Sequence, residues 1–331
     1  MPSGSPPTAI PGTLAAAWLR QRTSHWRDWP AGPLLAAKER SGTRISVVIP
    51  ARNEQRTVGR VVAALRQALL ADVPLVDEIV VIDSDSTDAT ATVAARAGAT
   101  VHRAREIAPE LGTVPGKGEA LWKSLLVTQG DLLVFVDADL TRWGPHFVTG
   151  LLGPLLTDPQ VLLVKGFYER VRTHDDGSTS TEGGRVTELV ARPLLSLWWP
   201  ELTGVVQPLA GEWAARRDLI ESLPIPVGYG VELSTLLDTA ARYGLDALAQ
   251  VDLGSRAHNH QADHDLALMA AELLLVAEAR RSTAPPPASP ELHQFTRVRG
   301  VATPRHRPFP GRDRPPAASV RPGRRPARPA P

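Results

Sequence analysis

Two aspartates one residue apart, Asp137 and Asp139, close the apolar run from Leu132 to Val136. A near-continuous hydrophobic run of this kind is a strand buried on both faces. In open α/β sheets, ligands bind beyond the carboxyl ends of such strands. Carboxylate oxygens are hard ligands for a divalent cation, which commonly bridges a diphosphate. D-x-D also arises by chance, so its weight depends on what else reaches the same edge. Pro115-Gly116-Lys117-Gly118 sets one lysine among small residues at a helix start, an arrangement that suits close approach to a phosphate. It is not a Walker A loop, and an ordinary loop with a surface lysine is the alternative. Glycines at 183 and 184 lead into Arg185, Val186 and Thr187. Accessible backbone N–H groups beside a forked guanidinium suit a small anionic acceptor; a helix start needing only flexible residues is the bland alternative. His260 and His264 are spaced for a metal on a helix and equally for two surface histidines.

The chain has 331 residues, room for one large domain or a core with appendages. There is no cysteine, which excludes disulfides, thiolate chemistry and cysteine-held metals and fits a reducing compartment. Formal charge is +2, but residues 282–331 hold ten arginines against two acids, so the remainder carries −6. That same tail holds 13 of the 31 prolines. Low hydrophobicity with charge and proline predicts a disordered or loosely docked segment. An RNA-touching tail is the rival to a solvated one, and no nucleic-acid partner is expected. The first residues lack a secretory pattern. No apolar run approaches the ~18–20 residues that span a bilayer, so a soluble, cytoplasmic protein without a membrane partner is expected.

The elements that must position these residues follow from periodicity. Ile45 to Pro50, Glu78 to Asp83, Thr100 to Arg103, Asp131 to Val136, Val161 to Lys165 and Asp246 to Leu253 read as strands. Helical stretches separate them: Thr57 to Leu70, up to Ala97 with Thr87 or Asp88 as N-cap, Gly228 to Tyr243, and Ala262 to Arg281. Strands alternating with helices predict an α/β fold with a mainly parallel, Rossmann-like sheet and flanking helices. Trp18, Trp26 and Trp29 predict an N-terminal extension of short helices docked on the core. The organisation is residues 1–43 as extension, 44–281 as catalytic domain, and 282–331 as Pro/Arg-rich tail. The domain divides into a nucleotide-binding half, 44–140, and an acceptor-binding half, 141–281.

Taken together, Pro50-Ala51-Arg52-Asn53-Glu54, Asp83-Ser84-Asp85-Ser86-Thr87-Asp88, Pro115 to Gly118, Asp137-Ala138-Asp139, Gly183 to Glu188 and Gly228 to Glu232 come in the order of GT-A glycosyltransferases. The last two, with Arg256-Ala257-His258, resemble the glucosyl-3-phosphoglycerate synthases. The likeness runs from about Trp18 to Arg281. It implies the GT-A fold and metal-dependent, retaining transfer of glucose from UDP-glucose to the 2-hydroxyl of 3-phosphoglycerate, in a homodimer. Another nucleotide-sugar donor or anionic acceptor within the GT-A class is the alternative. By motif, Pro50, Ala51, Arg52, Asn53, Glu54, Ser84, Lys117, Asp137, Ala138 and Asp139 would hold the donor. Asp139 and His258 would bind Mg²⁺ or Mn²⁺. Gly184, Arg185, Val186, Thr187 and Asn259 would hold the acceptor, and Glu232 would face the sugar, sharing the catalytic role with Asp139. Three positions depart from the family pattern: Arg52 stands where Leu is usual, Asp85 where Gly is usual, and Asn259-His260 where a basic residue precedes Asn.

Overall fold

The computed structural model describes residues 11–173, 179–181, 184–256, 263–283, 287, 289–298 and 301–321. In chain order, helix α1 (Pro11–Arg22), strand β1 (Thr23–His25) and helix α2 (Ala31–Ser41) precede β2 (Ile45–Ala51), α3 (Val58–Arg66), β3 (Glu78–Asp83), α4 (Thr90–Arg96) and β4 (Thr100–Arg103). Helix α5 (Lys117–Val127) leads into β5 (Leu132–Phe135), and α6 (His146–Thr157) into β6 (Leu163–Thr173), which pairs back on β7 (Thr179–Thr181). Then come α7 (Arg192–Trp198), β8 (Trp213–Arg216), α8 (Arg217–Ser222), β9 (Ile225–Pro226), α9 (Val231–Tyr243), β10 (Leu248–Arg256) and α10 (Asp263–Arg281). Beyond α10 lie β11 (Glu291–Val298), β12 (Val301–Pro308) and β13 (Asp313–Arg314).

The main sheet runs β1-β10-β6-β8-β5-β2-β3-β4. Its ladders are parallel except where β8 lies antiparallel between β5 and β6. Alternation along the strands sends side chains to two cores. Val48, Val80, Ile82, Leu133 and Phe135 pack with α5 and α9 on one face. Val47, Ile49, Val81 and Val134 pack with α3 and α6 on the other. Because β2, β3 and β5 are parallel, Ala51, Asp83 and Asp137 emerge at one edge.

The N-terminal extension is built into the sheet. Strand β1 pairs with β10, the Trp18 indole donates to the Leu245 carbonyl at 2.9 Å, and Trp26 lies over His146 with ring centroids 4.3 Å apart.

The tail expected to be disordered or loosely docked is docked through its described residues: β11 and β12 form an antiparallel hairpin, and β13 pairs with β9. Arg314 is buried and grips the Glu119 carboxylate with two bonds of 2.7 Å. Trp122 donates to the Pro315 carbonyl at 2.7 Å, and Ala317 is fully buried. Composition misled here because one well-matched arginine and one indole partner anchor a segment too polar to build a core of its own.

Candidate active site

The loop after β2 is locked to the loop after β3. Asn53 takes a positive φ of 58°; its amide donates to Ser86 Oγ at 2.9 Å, and its side-chain oxygen accepts from the Thr87 amide at 2.8 Å. Ser84 donates its amide to the Ala51 carbonyl, 2.9 Å away. Asp85 also sits in the left-handed region, at φ 56°. A glycine fits there without cost and an aspartate tolerates it, so this departure leaves the turn intact. The N-cap of α4 is Ala89, with no side-chain cap bond, so neither Thr87 nor Asp88 holds the expected position; Asp88 instead accepts from the Thr90 amide at 2.9 Å. Arg52 points outward and exposed. Pro50, Ala51, Asn53, Glu54 and Ser84 thus lie together at the strand ends.

Lys117 is placed by backbone contact. A Cβ on Gly116 or Gly118 would collide with the carbonyl oxygens of Val227 and Pro226, at 2.1 and 1.8 Å. The amides of Gly118 and Glu119 donate to the carbonyls of Gly228 and Val227 at 3.0 and 2.9 Å. These glycines therefore let two loops interlock. The Gly228 loop is held in turn from α10, where buried Glu272 accepts the Tyr229 amide at 2.5 Å. The interlock brings the Lys117 ammonium within 2.7 Å of Asp137 and 2.8 Å of Glu232, the first acid of α9.

Arg256, at the end of β10, completes the cluster. It bonds both oxygens of Glu212 at 2.8 Å, the Tyr168 hydroxyl at 2.7 Å, Asp139 at 3.0 Å and Asp137 at 3.3 Å. A Cβ on Gly211 would strike the Asp137 carboxylate at 2.3 Å, so that glycine gives Asp137 its room.

Electrostatics separate the two acids of the triplet. Asp137 is buried, which alone would raise its pKa, yet Lys117 and Arg256 together hold it well below the usual carboxylate range. Asp139 is pushed up, by burial first and by the adjacent Asp137 second. Glu212 is raised by burial, and Glu54 by burial together with the like charges of Asp139, Asp88 and Asp137. For Lys117 burial opposes the charged form, but Asp137 and Glu232 outweigh it and its pKa rises. Lys165 on β6 is fully buried against the Trp213 ring and donates to the Ala210 carbonyl at 2.9 Å; burial lowers its pKa to about 8.

The structure therefore brings together Lys117, Asp137, Asp139 and Glu232, with Ala138 buried between the two aspartates. Gly184, Arg185, Val186 and Thr187 open a separate helical run, with the Glu188 amide bonded to the Gly184 carbonyl at 3.0 Å. Val186 and Thr187 are buried there and Arg185 is exposed. His258 and Asn259, the expected second metal ligand and last acceptor contact, lie outside the described residues, as does His260. Sequence reasoning assigned no role to Arg256, Glu212, Tyr168 or Lys165. A signal existed for two of them: Arg256 directly precedes Ala257-His258, and Glu212 closes the glycine-bearing stretch from Leu209.

A strand-end D-x-D, an interlocked lysine and a helix-borne glutamate at one sheet edge are the layout of a nucleotide-sugar transferase. Residues 46–208 match glycosyl transferase family 2. The glucosyl-3-phosphoglycerate synthase of Mycolicibacterium smegmatis is 45% identical over 305 residues, 92% of this chain and 98% of that one. Among solved structures, the glucosyl-3-phosphoglycerate synthase of Mycobacterium tuberculosis in complex with Mn²⁺, UDP and phosphoglyceric acid superposes with a TM-score of 0.82. It is 44% identical, covering 92% of this chain and 100% of that chain. The same enzyme with Mn²⁺ and UDP-glucose gives a TM-score of 0.78 at 45% identity, over 88% and 96% of the two chains. The chain belongs to the glucosyl-3-phosphoglycerate synthase family and has its GT-A fold.

Proposed function

We propose that this chain transfers glucose from UDP-glucose to the 2-hydroxyl of 3-phosphoglycerate with retention, in the presence of Mg²⁺ or Mn²⁺. The observation that carries the reading is the Lys117 ammonium shared between Asp137 and Glu232, in a chain whose relatives bear that activity in their names. It ties the strand end that would meet the diphosphate to the helix start that would meet the sugar.

The residues fit a hard cation. Asp139 offers a half-exposed carboxylate oxygen whose charge is disfavoured by burial and by Asp137, and a divalent ion beside it would relieve both. Asp139 would hold it, with His258. When bound, it supplies positive charge against the departing diphosphate. Lys117 and Arg256 add two fixed cations at the same edge, already oriented and needing no reorganisation as charge develops. Glu232 is buried and neutralised by Lys117 at 2.8 Å. A carboxylate so paired is a poor nucleophile, and its role is to hold glucose hydroxyls. The amides at Gly184 to Thr187, near a helix start, with Arg185, suit the phosphate and carboxylate of the acceptor.

The setting is a cytoplasmic homodimer without nucleic-acid or membrane partners. Leu189 and Leu197 are 74% and 72% exposed, apolar surface that a second copy would cover. No described helix is long and apolar enough to cross a membrane, and the chain has no cysteine. Arg314 and Arg321 spend their charge on Glu119 and Glu221 within the fold.

The test is UDP release that requires protein, UDP-glucose, 3-phosphoglycerate and Mg²⁺ together, with the anomeric configuration of the product read by NMR. Turnover supported by a GDP-sugar and not by UDP-glucose would overturn the donor assignment; an inverted product would overturn retention. Light scattering on an eluting peak reads the dimer.

A further inference from the structure

The hairpin β11–β12 carries a cluster that the transfer reaction does not use. His293 and His306 are directly opposed in its register, and Glu291 lies two residues before His293 on the same face. The two Nδ1 atoms are 2.7 Å apart, and Glu291 Oε2 is 3.7 Å from His293 Nε2. One ligand atom from each of the three residues lies within 4.8 Å of the others. Among the described residues the two strands pair only with each other, and a lone two-stranded ribbon is marginal in water.

We propose that Glu291, His293 and His306 form a second metal site, selective for a borderline d-block cation such as Zn²⁺ and separate from the cation expected at Asp139. Two imidazoles and one carboxylate are a Zn²⁺ donor set, with water in the fourth position. Mg²⁺ prefers oxygen ligands, so the site discriminates against the ion at Asp139. Two nitrogens on a tetrahedral ion at ~2.0–2.1 Å sit about 3.3 Å apart, so the rings need to part by only about half an ångström or slightly more. The 2.7 Å contact places the two ring nitrogens within hydrogen-bond reach of each other. The site is exposed, with His293 59% and Glu291 43% accessible, and an ion reaches it without opening the fold.

The metal would cross-link the strands near the base of the hairpin, where the Phe309 amide already donates to the Pro290 carbonyl at 3.1 Å. The segment that leaves that base is the one that docks Arg314 onto Glu119.

The test is Co²⁺ titration of tag-free protein in excess Mg²⁺, followed by visible absorption, then displacement with Zn²⁺. The expected result is a saturable tetrahedral band at one equivalent that Zn²⁺ abolishes. It should be lost in His293→Ala and in His306→Ala and weakened in Glu291→Gln, while Mg²⁺-supported turnover stays unchanged. All three side chains are on the surface, so these variants fold; matched thermal transitions check this. Absence of a saturable band, or a band that survives either histidine variant, overturns the site, and the close imidazole pair is then a hydrogen bond alone.

Discussion

Two charged clusters flank the turn Lys117-Gly118-Glu119, and they differ in what they leave over. Behind the turn, Glu119 is matched by Arg314, whose remaining N–H groups donate to the carbonyls of Leu111 and Gly112. Close by, Arg217 and Arg321 meet Glu221 and also bond Thr128. In front of the turn, Asp137, Asp139, Glu212 and Glu232 face, among the described residues, Lys117 and Arg256 as direct ion partners. Arg256 Nε is buried with no hydrogen-bond partner among the described residues. The rear cluster is saturated, and saturated buried pairs position a chain. The front cluster keeps surplus negative charge and an unspent donor, which is what a cation and a diphosphate would satisfy. Residual charge, more than burial, separates the candidate site from the brace behind it.

That contrast can be broken from either side. The largest effect is expected at Asp139→Ala, which should cut Mg²⁺-dependent turnover at least about 100-fold while leaving the thermal transition in place. Chelation with EDTA should mimic it in the wild type and restore on adding Mg²⁺. Next is Arg314→Ala, which strips two 2.7 Å bonds from buried Glu119 and leaves it the Lys123 ammonium at 3.8 Å; it should cost about 3 kcal/mol of stability by denaturant unfolding. Replacing Glu119 as well should recover part of that loss. If Arg314→Ala were neutral in stability, the rear cluster would not be a brace.

Lys165 gives a pH test. Its folded pKa, about 8, lies below the ordinary 10.5. Below pH 8 it is protonated in both states and the burial penalty is felt in full. Between pH 8 and 10.5 only the unfolded chain keeps the proton, so stability should rise with pH by about 3 kcal/mol. Lys165→Met should lack that increment; equal slopes for the two proteins would show that Lys165 is not desolvated. The smallest effect is at Arg185→Ala, on the exposed start of its helical run. It should raise the KM for 3-phosphoglycerate and leave that for UDP-glucose unchanged, and an effect on the donor alone would move the acceptor subsite elsewhere.

Strands such as Ile45–Ala51 and Glu78–Asp83 were readable from their apolar, β-branched runs. The antiparallel β8 was not, because Trp-Ala-Ala-Arg is too short and too poor in β-branched residues to announce a strand. Asp137, Asp139, Lys117 and Glu232 were legible as strand-end or helix-start residues. Arg256 was legible only as the neighbour of Ala257-His258 and not as the hub of a cluster, since a single arginine carries no periodic signal and its four partners come from three distant segments. The docking of Arg314 was hidden for the same reason: composition averages over a tail, whereas one buried ion pair is a local event.

The partnership of Glu119 with Arg314 spans 195 positions. At about 5–20 residues per second, the loop that carries Lys117 leaves the ribosome on the order of 10–40 s before its brace is synthesised. For that interval the nascent chain holds Glu119 without its partner, and the turn that carries Lys117 gains this brace only late in translation.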